Sequence, residues 1–504
     1  MSMTSISPAV RHLHHLRRAR RALGLALLLV AAAGGVTGCS PDKLLGDNSL
    51  PPDVPDPSQT QTPAGAIAAY RGALIRLRTA FGGDDQSFIP ITGLLTDELR
   101  ARDAGQVISP FGQDPLRIDS RFLPEDPPGD ASTTPSQIRV VYGLLQGVRG
   151  QARQARGAIR AYAPDSSPAL AGHLFAVEGY AEIFLADLFC SGVPLSTIDF
   201  DGDYTYQPGA STDEVYQHAV TLFDSALALA ADSERVMNLA RVGKGRALLA
   251  LGDYTGAAQA VADVPDDFRY ELHFNLSATP GNDAFENRSF VYPDLGPGAI
   301  GLRLTMVDTE GVNGLDFLSS RDPRSLGVIK DTTQYNIVVI YPQKYAEDGS
   351  TPITLADGIE ARLIDAEAAL HGAGGDWLAI LNALRTDGTF DTQPDPVDTT
   401  KADTLWHAGS GGVAGLAPLQ DPGTPDGRVD LVFRERAFWL FLTGHRQGDL
   451  RRLIRNYGRD PESVYPTGSY PGGYSAYGTD VTAPIPGEER IANPLFTGCR
   501  SRGA

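Results

Sequence analysis

The 504-residue chain is poor in the residues that usually announce chemistry: three cysteines, nine histidines, three tryptophans and four methionines. No stretch has the form of a recognised nucleophile motif, paired acid and base, or metal-ligand spacing, so the sequence offers no catalytic constellation and no cofactor site. The chain is expected not to be an enzyme. Positive charge is also scarce. Lysine and arginine total 43 against 61 acidic residues, a net charge of −18, and five of those arginines lie in the first 38 residues, which hold no acid. The remainder keeps 38 basic residues, too few for the basic surface that phosphate counterion release requires, and nucleic acid is excluded as a partner.

What is present begins with a leader. Arg11, Arg17, Arg18, Arg20 and Arg21 form a basic segment, and Ala22 to Val36 form an apolar one too short to span a membrane. The segment ends in Val36-Thr37-Gly38-Cys39, which has the form of a bacterial lipobox, so residues 1–38 are expected to be a lipoprotein signal peptide and Cys39 the lipidated mature terminus. Several acyl chains on one cysteine anchor a protein firmly. Residues 39–63 carry six prolines among polar residues, which cannot pack a core and reads as an extended tether. The two remaining cysteines, Cys190 and Cys499, would then sit in a disulfide-permissive compartment. Sequence alone leaves open whether they are bridged or are two separate buried thiols.

From residue 64 to 504 helical periodicity dominates. Ala64 to Ala80, Ser136 to Ala163 and Pro168 to Phe189 place apolar residues at helical spacing. Ser211-Thr212-Asp213-Glu214 has the spacing of a capping box and opens a helix to about Ala231. Arg235 to Val264, with Gly245, Ala247, Leu248, Gly252, Tyr254 and Ala258, resembles a tetratricopeptide repeat, and Arg362 to Arg385 is a weaker echo. The expected fold is therefore mainly α, a tetratricopeptide-like helical superhelix. Loop-rich insertions are expected at about 265–356 and 387–426, where glycine, proline and polar residues replace the helical pattern.

Val429 to Leu453, VDLVFRERAFWLFLTGHRQGDLRRL, is the most hydrophobic run outside the leader. Ala437 to Leu442 leaves no helical face for water, so it reads as an enclosed helix broken at Gly444. Charges beside so apolar a segment tolerate burial when paired, so Glu435 and Asp449 are expected to bond arginines across the break. This run resembles the signature of the SusD/RagB family of outer-membrane nutrient-binding lipoproteins, whose pattern is roughly E-R-x-x-E-L-x-x-E-G-H-R-x-x-D-L-x-R. Glu435, Arg436, Leu440, Gly444, His445, Arg446, Asp449, Leu450 and Arg452 match it, and Trp439 and Thr443 replace glutamates, which marks a divergent member. Asp322-Pro323-Arg324 and the terminal run from Ala483 to Pro494 also resemble family segments. Phe189 to Leu195 resembles a family turn, with Cys190-Ser191 as an insertion.

The resemblance implies a surface-exposed protein, lipid-anchored in the outer membrane, that binds a nutrient such as a glycan. It would deliver that nutrient to a SusC-like TonB-dependent transporter. It implies an architectural role for Glu435, Arg436, Gly444, Arg446 and Asp449, and names no ligand residue. A lipid-anchored tetratricopeptide scaffold for envelope assembly is the alternative, and an exported hydrolase ranks behind both. Candidate ligand aromatics are Trp406 and the tyrosines at 465, 470, 474 and 477, although loop packing explains them equally. The alternating carboxylates of Asp199-Phe200-Asp201-Gly202-Asp203 can ligate calcium in principle, but Tyr204 and Ala210 stand where an EF-hand needs glycine and glutamate.

Overall fold

The structure, a computed structural model, describes residues 61–101, 114–130, 133–200, 202–274, 304–332, 338–342, 344–345, 352–386, 416–471 and 475–504. Residues 1–38, read above as a signal peptide, Cys39, nearly all of the expected tether, Trp406 and Tyr474 lie outside them. So does most of the 387–426 insertion.

Among the described residues the body is built from helices stacked in chain order: α1 (Pro63–Gly82), α2 (Phe88–Leu95), α3 (Asp114–Asp119), α4 (Ser136–Tyr162), α5 (Pro168–Leu188), α6 (Thr212–Leu229), α7 (Glu234–Ala250), α8 (Tyr254–Val261), α9 (Gly358–Leu370), α10 (Trp377–Thr386), α11 (Pro425–Trp439) and α12 (Arg446–Tyr457), followed by short helices at Pro461–Val464 and Gly487–Ala492. Helix α4 packs on α1 and α5, α5 on α6, α6 on α7, α7 on α8, α8 on α9 and α9 on α10, the nearest-neighbour stacking of a repeat solenoid. The predicted caps explain where helices start. Ser211 accepts from the Glu214 N–H while Glu214 accepts from the Ser211 N–H, a complete capping box. Between α7 and α8, Gly252 takes φ +78° and Asp253 caps the next helix, so the repeat turns where its glycine permits a left-handed backbone.

Helix α5 is the most enclosed element. An 18-residue window of it is apolar enough to cross a membrane, and 83% of that window is buried inside the fold, as expected of a core helix. Its two core glutamates are matched by the neighbouring helices: Glu182 accepts from Arg149 at 2.9 Å and pairs with His218 at 2.6 Å, and Glu178 accepts from Arg153 and Arg156 at 2.5 and 2.6 Å. Burial opposes the ionised form of Glu182, but Arg149 and His218 outweigh it and hold the carboxyl below its ordinary range.

The 265–356 insertion is less irregular than its composition suggests. Strands β6 (Arg269–Leu272) and β10 (Ile353–Asp357) pair antiparallel and close its base beneath α9, β7 (Leu304–Met306) pairs with β1 (Leu99–Ala101), and β8 (Gly327–Thr332) pairs with β9 (Val338–Pro342). Two further pairs of two-residue strands matter for the site: β2 (Val193–Pro194) pairs with β5 (Gly209–Ala210), and β3 (Thr197–Ile198) with β4 (Tyr204–Thr205).

The expected enclosed helix ends sooner than its sequence suggests. Helix α11 stops at Trp439, and residues 440–445 form a turn in which Leu442 and Gly444 take φ of +53° and +74°. The physical reason is a set of partners from elsewhere: the Leu442 N–H donates to Glu98 at 2.8 Å, Tyr345 donates to the Leu442 carbonyl and Lys344 to the Phe441 carbonyl. These bonds replace helix bonds and hold the left-handed residues. A Cβ on Gly444 would also stand 3.0 Å from the Phe88 ring. Trp439 and Phe441 are nonetheless buried, as the apolar run requires.

Candidate functional site

Two kinds of polar cluster are built on this scaffold, and only one of them faces solvent. The buried cluster is the signature segment. Arg436 forms a two-bond fork to Asp449 across the turn at 2.9 Å each, Arg452 forks to Glu367 at 2.7 Å each and also reaches Asp449, and Arg446 forks to Asp97 at 2.6 and 2.8 Å. Burial disfavours ionised Asp449, yet Arg436 and Arg452 drive its carboxyl far below the ordinary range. Glu435 departs from expectation. It does not span the break but accepts from Arg324 at 2.7 Å and from Arg385 at 2.6 Å, because its side chain faces the Asp322-Pro323-Arg324 turn and α10 rather than α12. His445 lies between Thr443 Oγ1 at 2.8 Å and Glu360 at 3.2 Å and also contacts Arg246. Every member is buried, so this cluster locks helices together and presents nothing to a ligand.

The candidate tyrosines of the C-terminal loop turn inward as well. Tyr465 donates to Gln447 at 3.0 Å, Tyr470 to Asp119 at 2.8 Å, and Tyr477 to Glu310. They are packing residues, the second of the two readings the sequence allowed. Cys190 and Cys499 are joined, with Cα atoms 5.8 Å apart. The inserted Cys190-Ser191 pair gives this bond its place: Cys190 N–H donates to Ala483 and Ser191 N–H to Ser501, laying the terminal segment beside the end of α5.

The solvent-facing candidate lies on α4. That helix holds Gly143, Gly147, Gly150 and Gly157, each of which costs about 1 kcal/mol relative to alanine in a helix interior. Three of them explain themselves by what sits on them. A Cβ would meet Arg76 at Gly147, Ile198 Cγ2 at 3.3 Å from Gly150, and the Phe200 Cβ at 2.6 Å from Gly157. With spacings of three and seven they fall on one helical face, and the β3–β4 hairpin lies flat along it. Its base is pinned by Gln146 donating to Pro194 O, Arg149 donating to Ser196 O, and buried Asn493 of the terminal motif donating to Gln207 O at 2.9 Å. The motif considered for calcium is the turn of this hairpin: Asp199 Oδ1 accepts the Asp203 N–H at 2.8 Å and Gly202 takes φ +96°. Among the described residues no group of three or more His, Cys, Asp or Glu converges as a metal site requires.

The hairpin divides two grooves. On one side a groove of about 640 Å³ is lined by Tyr204, Tyr206, Gln151, Gln154, Arg76 and Glu489, among others. Tyr204 and Tyr206 are 65% and 40% exposed and stack on each other, ring centroids 6.2 Å apart and planes 16° from parallel. Two adjacent tyrosines this open to water are rare in a folded body unless they serve a surface contact. Among the described residues Arg76 and Gln154 have no protein hydrogen-bond partner, so both keep donors free beside the rings. The second groove, about 600 Å³, runs between the C-terminal half of α4 and the start of α5 and is lined by Arg153, Arg156, Arg160, Phe175 and Phe200. Sequence reasoning passed over Tyr204 and Tyr206. Their signal was an Asp-Gly turn flanked by alternating aromatics, a hairpin pattern, together with the glycine series on α4.

With this geometry in place, the comparisons with known proteins are informative. No family model and no curated relative matches the chain by sequence. Solved structures do: a SusD superfamily protein from Parabacteroides distasonis superposes with a TM-score of 0.60 at 14% identity, over 87% of this chain and 99% of that one. A laminarin-binding SusD-like protein gives 0.59 at 14% identity over 87% and 99%. Surface glycan-binding protein A from Bacteroides thetaiotaomicron gives 0.58 at 14% identity over 88% and 100%. The chain therefore has the fold of the SusD-superfamily structures, as the signature segment, the terminal motif and the repeat-like helix pairs implied.

Proposed function

We propose that this protein is a lipid-anchored, non-catalytic glycan-binding protein of the bacterial outer membrane, facing outward, that passes its ligand to a SusC-like TonB-dependent transporter. The observation that carries the binding reading is the exposed Tyr204–Tyr206 pair over its groove. A sugar ring presents an apolar face of C–H groups that covers an aromatic ring at little entropic cost, while its hydroxyls need donors and acceptors such as Gln154, Arg76 and Glu489 nearby. The fold supports the same reading, since two of the similar structures are a laminarin-binding protein and a surface glycan-binding protein. Among the described lining residues none pairs a nucleophile with a base, and binding without bond cleavage is the chemistry proposed. The lipobox at Cys39 supports the anchor, and the SusD-like fold supports the transporter partner.

Affinity electrophoresis of the full chain through gels containing single polysaccharides tests the binding. Retardation by at least one glycan, abolished by Tyr204→Ala with Tyr206→Ala, is the expected result; no retardation across a broad glycan panel would remove the proposal. Isolation from outer membranes tests the rest: the protein should label with palmitate, lose the label with Cys39→Ala, and co-purify with a barrel-sized partner.

A further inference from the structure

We infer that the second groove receives an acidic group of the ligand, so that the glycan bound is a uronate-containing or sulfated one. The inference rests on the glycan reading above and deepens it. The two grooves share Thr197 and Ile198 as a common wall, so a chain of sugar units lying on the tyrosine shelf can continue over the hairpin into the second groove. There the lining changes character. Arg153, Arg156 and Arg160 recur along α4 at spacings of three and four, which places them on one helical face.

These arginines are unequally occupied, and that inequality decides the argument. Arg156 is committed: it donates to Glu178 and to the Leu174 carbonyl and lies 4.0 Å over the Phe175 ring. Arg153 uses only its Nε, on Glu178, which leaves both terminal nitrogens of a side chain that is 26% exposed. Arg160 is exposed and has no protein partner among the described residues. Glu178 itself is fully buried beneath the pair, so it fixes the arginines from below without facing the groove. Acidic groups do stand around its edges: Asp199 in the lining, Asp232 against Ser167, and the exposed Asp165, between the lining residues Pro164 and Ser166, and Asp203 of the hairpin turn. Asp199 is occupied in capping the hairpin turn, and Asp232 accepts from Ser167. The groove therefore offers two guanidinium forks with free donors, the planar arrangement that suits a carboxylate or sulfate, next to the one-third exposed ring of Phe200. In a chain of net charge −18, open unpaired arginines on the rim of an aromatic groove select for anionic ligands.

The test compares, on the full chain by calorimetry, an oligogalacturonate, a sulfated galactan oligomer and an uncharged galactan oligomer of equal length. At least one acidic oligomer should bind about tenfold or more tightly than the neutral one, the worth of a charge-assisted hydrogen bond. That preference should shrink as sodium chloride is raised. Arg160→Ala, at an exposed site with nothing to unfold, should shrink the preference to the part that Arg153 carries, weakening the acidic oligomer more than the neutral one, and Arg160→Lys should restore part of it. Whether the uronate or the sulfate ester is preferred identifies the source of the charge. Equal binding of neutral and acidic oligomers, or a preference untouched by Arg160→Ala, overturns the inference while leaving the glycan reading intact. Failure of all three oligomers and of every polysaccharide in the gel panel overturns both.

Discussion

The signature cluster around Asp449 and the grooves around Tyr204 use the same residue types to opposite ends. Both are built from arginines, carboxylates and aromatic rings held by α-helices. In the cluster each arginine fork closes on an internal carboxylate, and water is excluded. Along the groove face of α4, by contrast, Arg153 is anchored by one nitrogen from below and open above, and Arg160 stands open with no protein partner among the described residues. The comparison teaches that in this fold a polar side chain serves stability when both of its ends are satisfied by the chain, and recognition when one end is left for something else. Removing a partner costs most where nothing can replace it, since a buried unpaired charge has no water to turn to.

The largest effect should come from opening the closed cluster. Asp449→Ala leaves Arg436 and Arg452 short of a shared carboxylate and is expected to destabilise by about 3–5 kcal/mol, read as a lowered denaturation midpoint at unchanged slope. Next is Cys190→Ser: the bond to Cys499 closes a loop of 309 residues, and its loss should cost about 2–5 kcal/mol by the same measurement. A wild-type midpoint unmoved by reducing agent would contradict it.

A third prediction sharpens the comparison through pH. Burial above all raises the Glu98 carboxyl to about 8, with the Leu442 N–H opposing, whereas the unfolded group titrates near 4.5. The folded state thus keeps a proton that the unfolded state releases, so this group's contribution to stability declines as pH rises from about 4.5 to 8. Glu360 has the opposite sign. Burial works against it, but Arg246 and His445 hold it near 2, so its contribution is lost as pH falls from 4.5 toward 2. Glu98→Gln keeps an acceptor for Leu442 and removes the titration. It should match the wild type at about pH 5 and exceed it by about 1–3 kcal/mol at about pH 9. Equal pH dependence of the two proteins would show that Glu98 ionises normally.

The open site should behave differently. Gly157→Ala gains about 1 kcal/mol of helix propensity but sets a methyl group against Phe200, so the hairpin must lift; melting should barely move while glycan retardation weakens. Smallest of all, Tyr204→Ala with Tyr206→Ala should alter stability by no more than about 0.5 kcal/mol, because neither ring is buried, and yet abolish binding. A large loss of stability there would mean that the rings are structural and the shelf is not a site.

Much of the scaffold was legible before any coordinates. Helical periodicity located α4, α5 and α6 to within a residue or two, and the Ser211–Glu214 box and the Gly252 turn were readable because caps and left-handed turns depend on neighbours in sequence. The signature segment announced that its charges must be paired. It did not say with whom, since Glu98, Glu367, Arg324 and Arg385 come from elements far apart in the chain. The same limit hid the end of α11, where Glu98, Lys344 and Tyr345 draw Leu442 out of the helix.

The site was harder still. A tyrosine four residues after Phe200 reads the same whether it packs or protrudes, and of the tyrosines that stood out, Tyr465 and Tyr470 are buried and Tyr477 is half-buried against the core. Composition and periodicity by themselves determined a mainly helical, acidic chain with no recognised catalytic motif, because those properties are summed over local sequence. Which rings face water, which arginines keep free nitrogens and which cysteine meets which were decided only by tertiary structure, because each depends on what a distant segment brings to within a few ångströms.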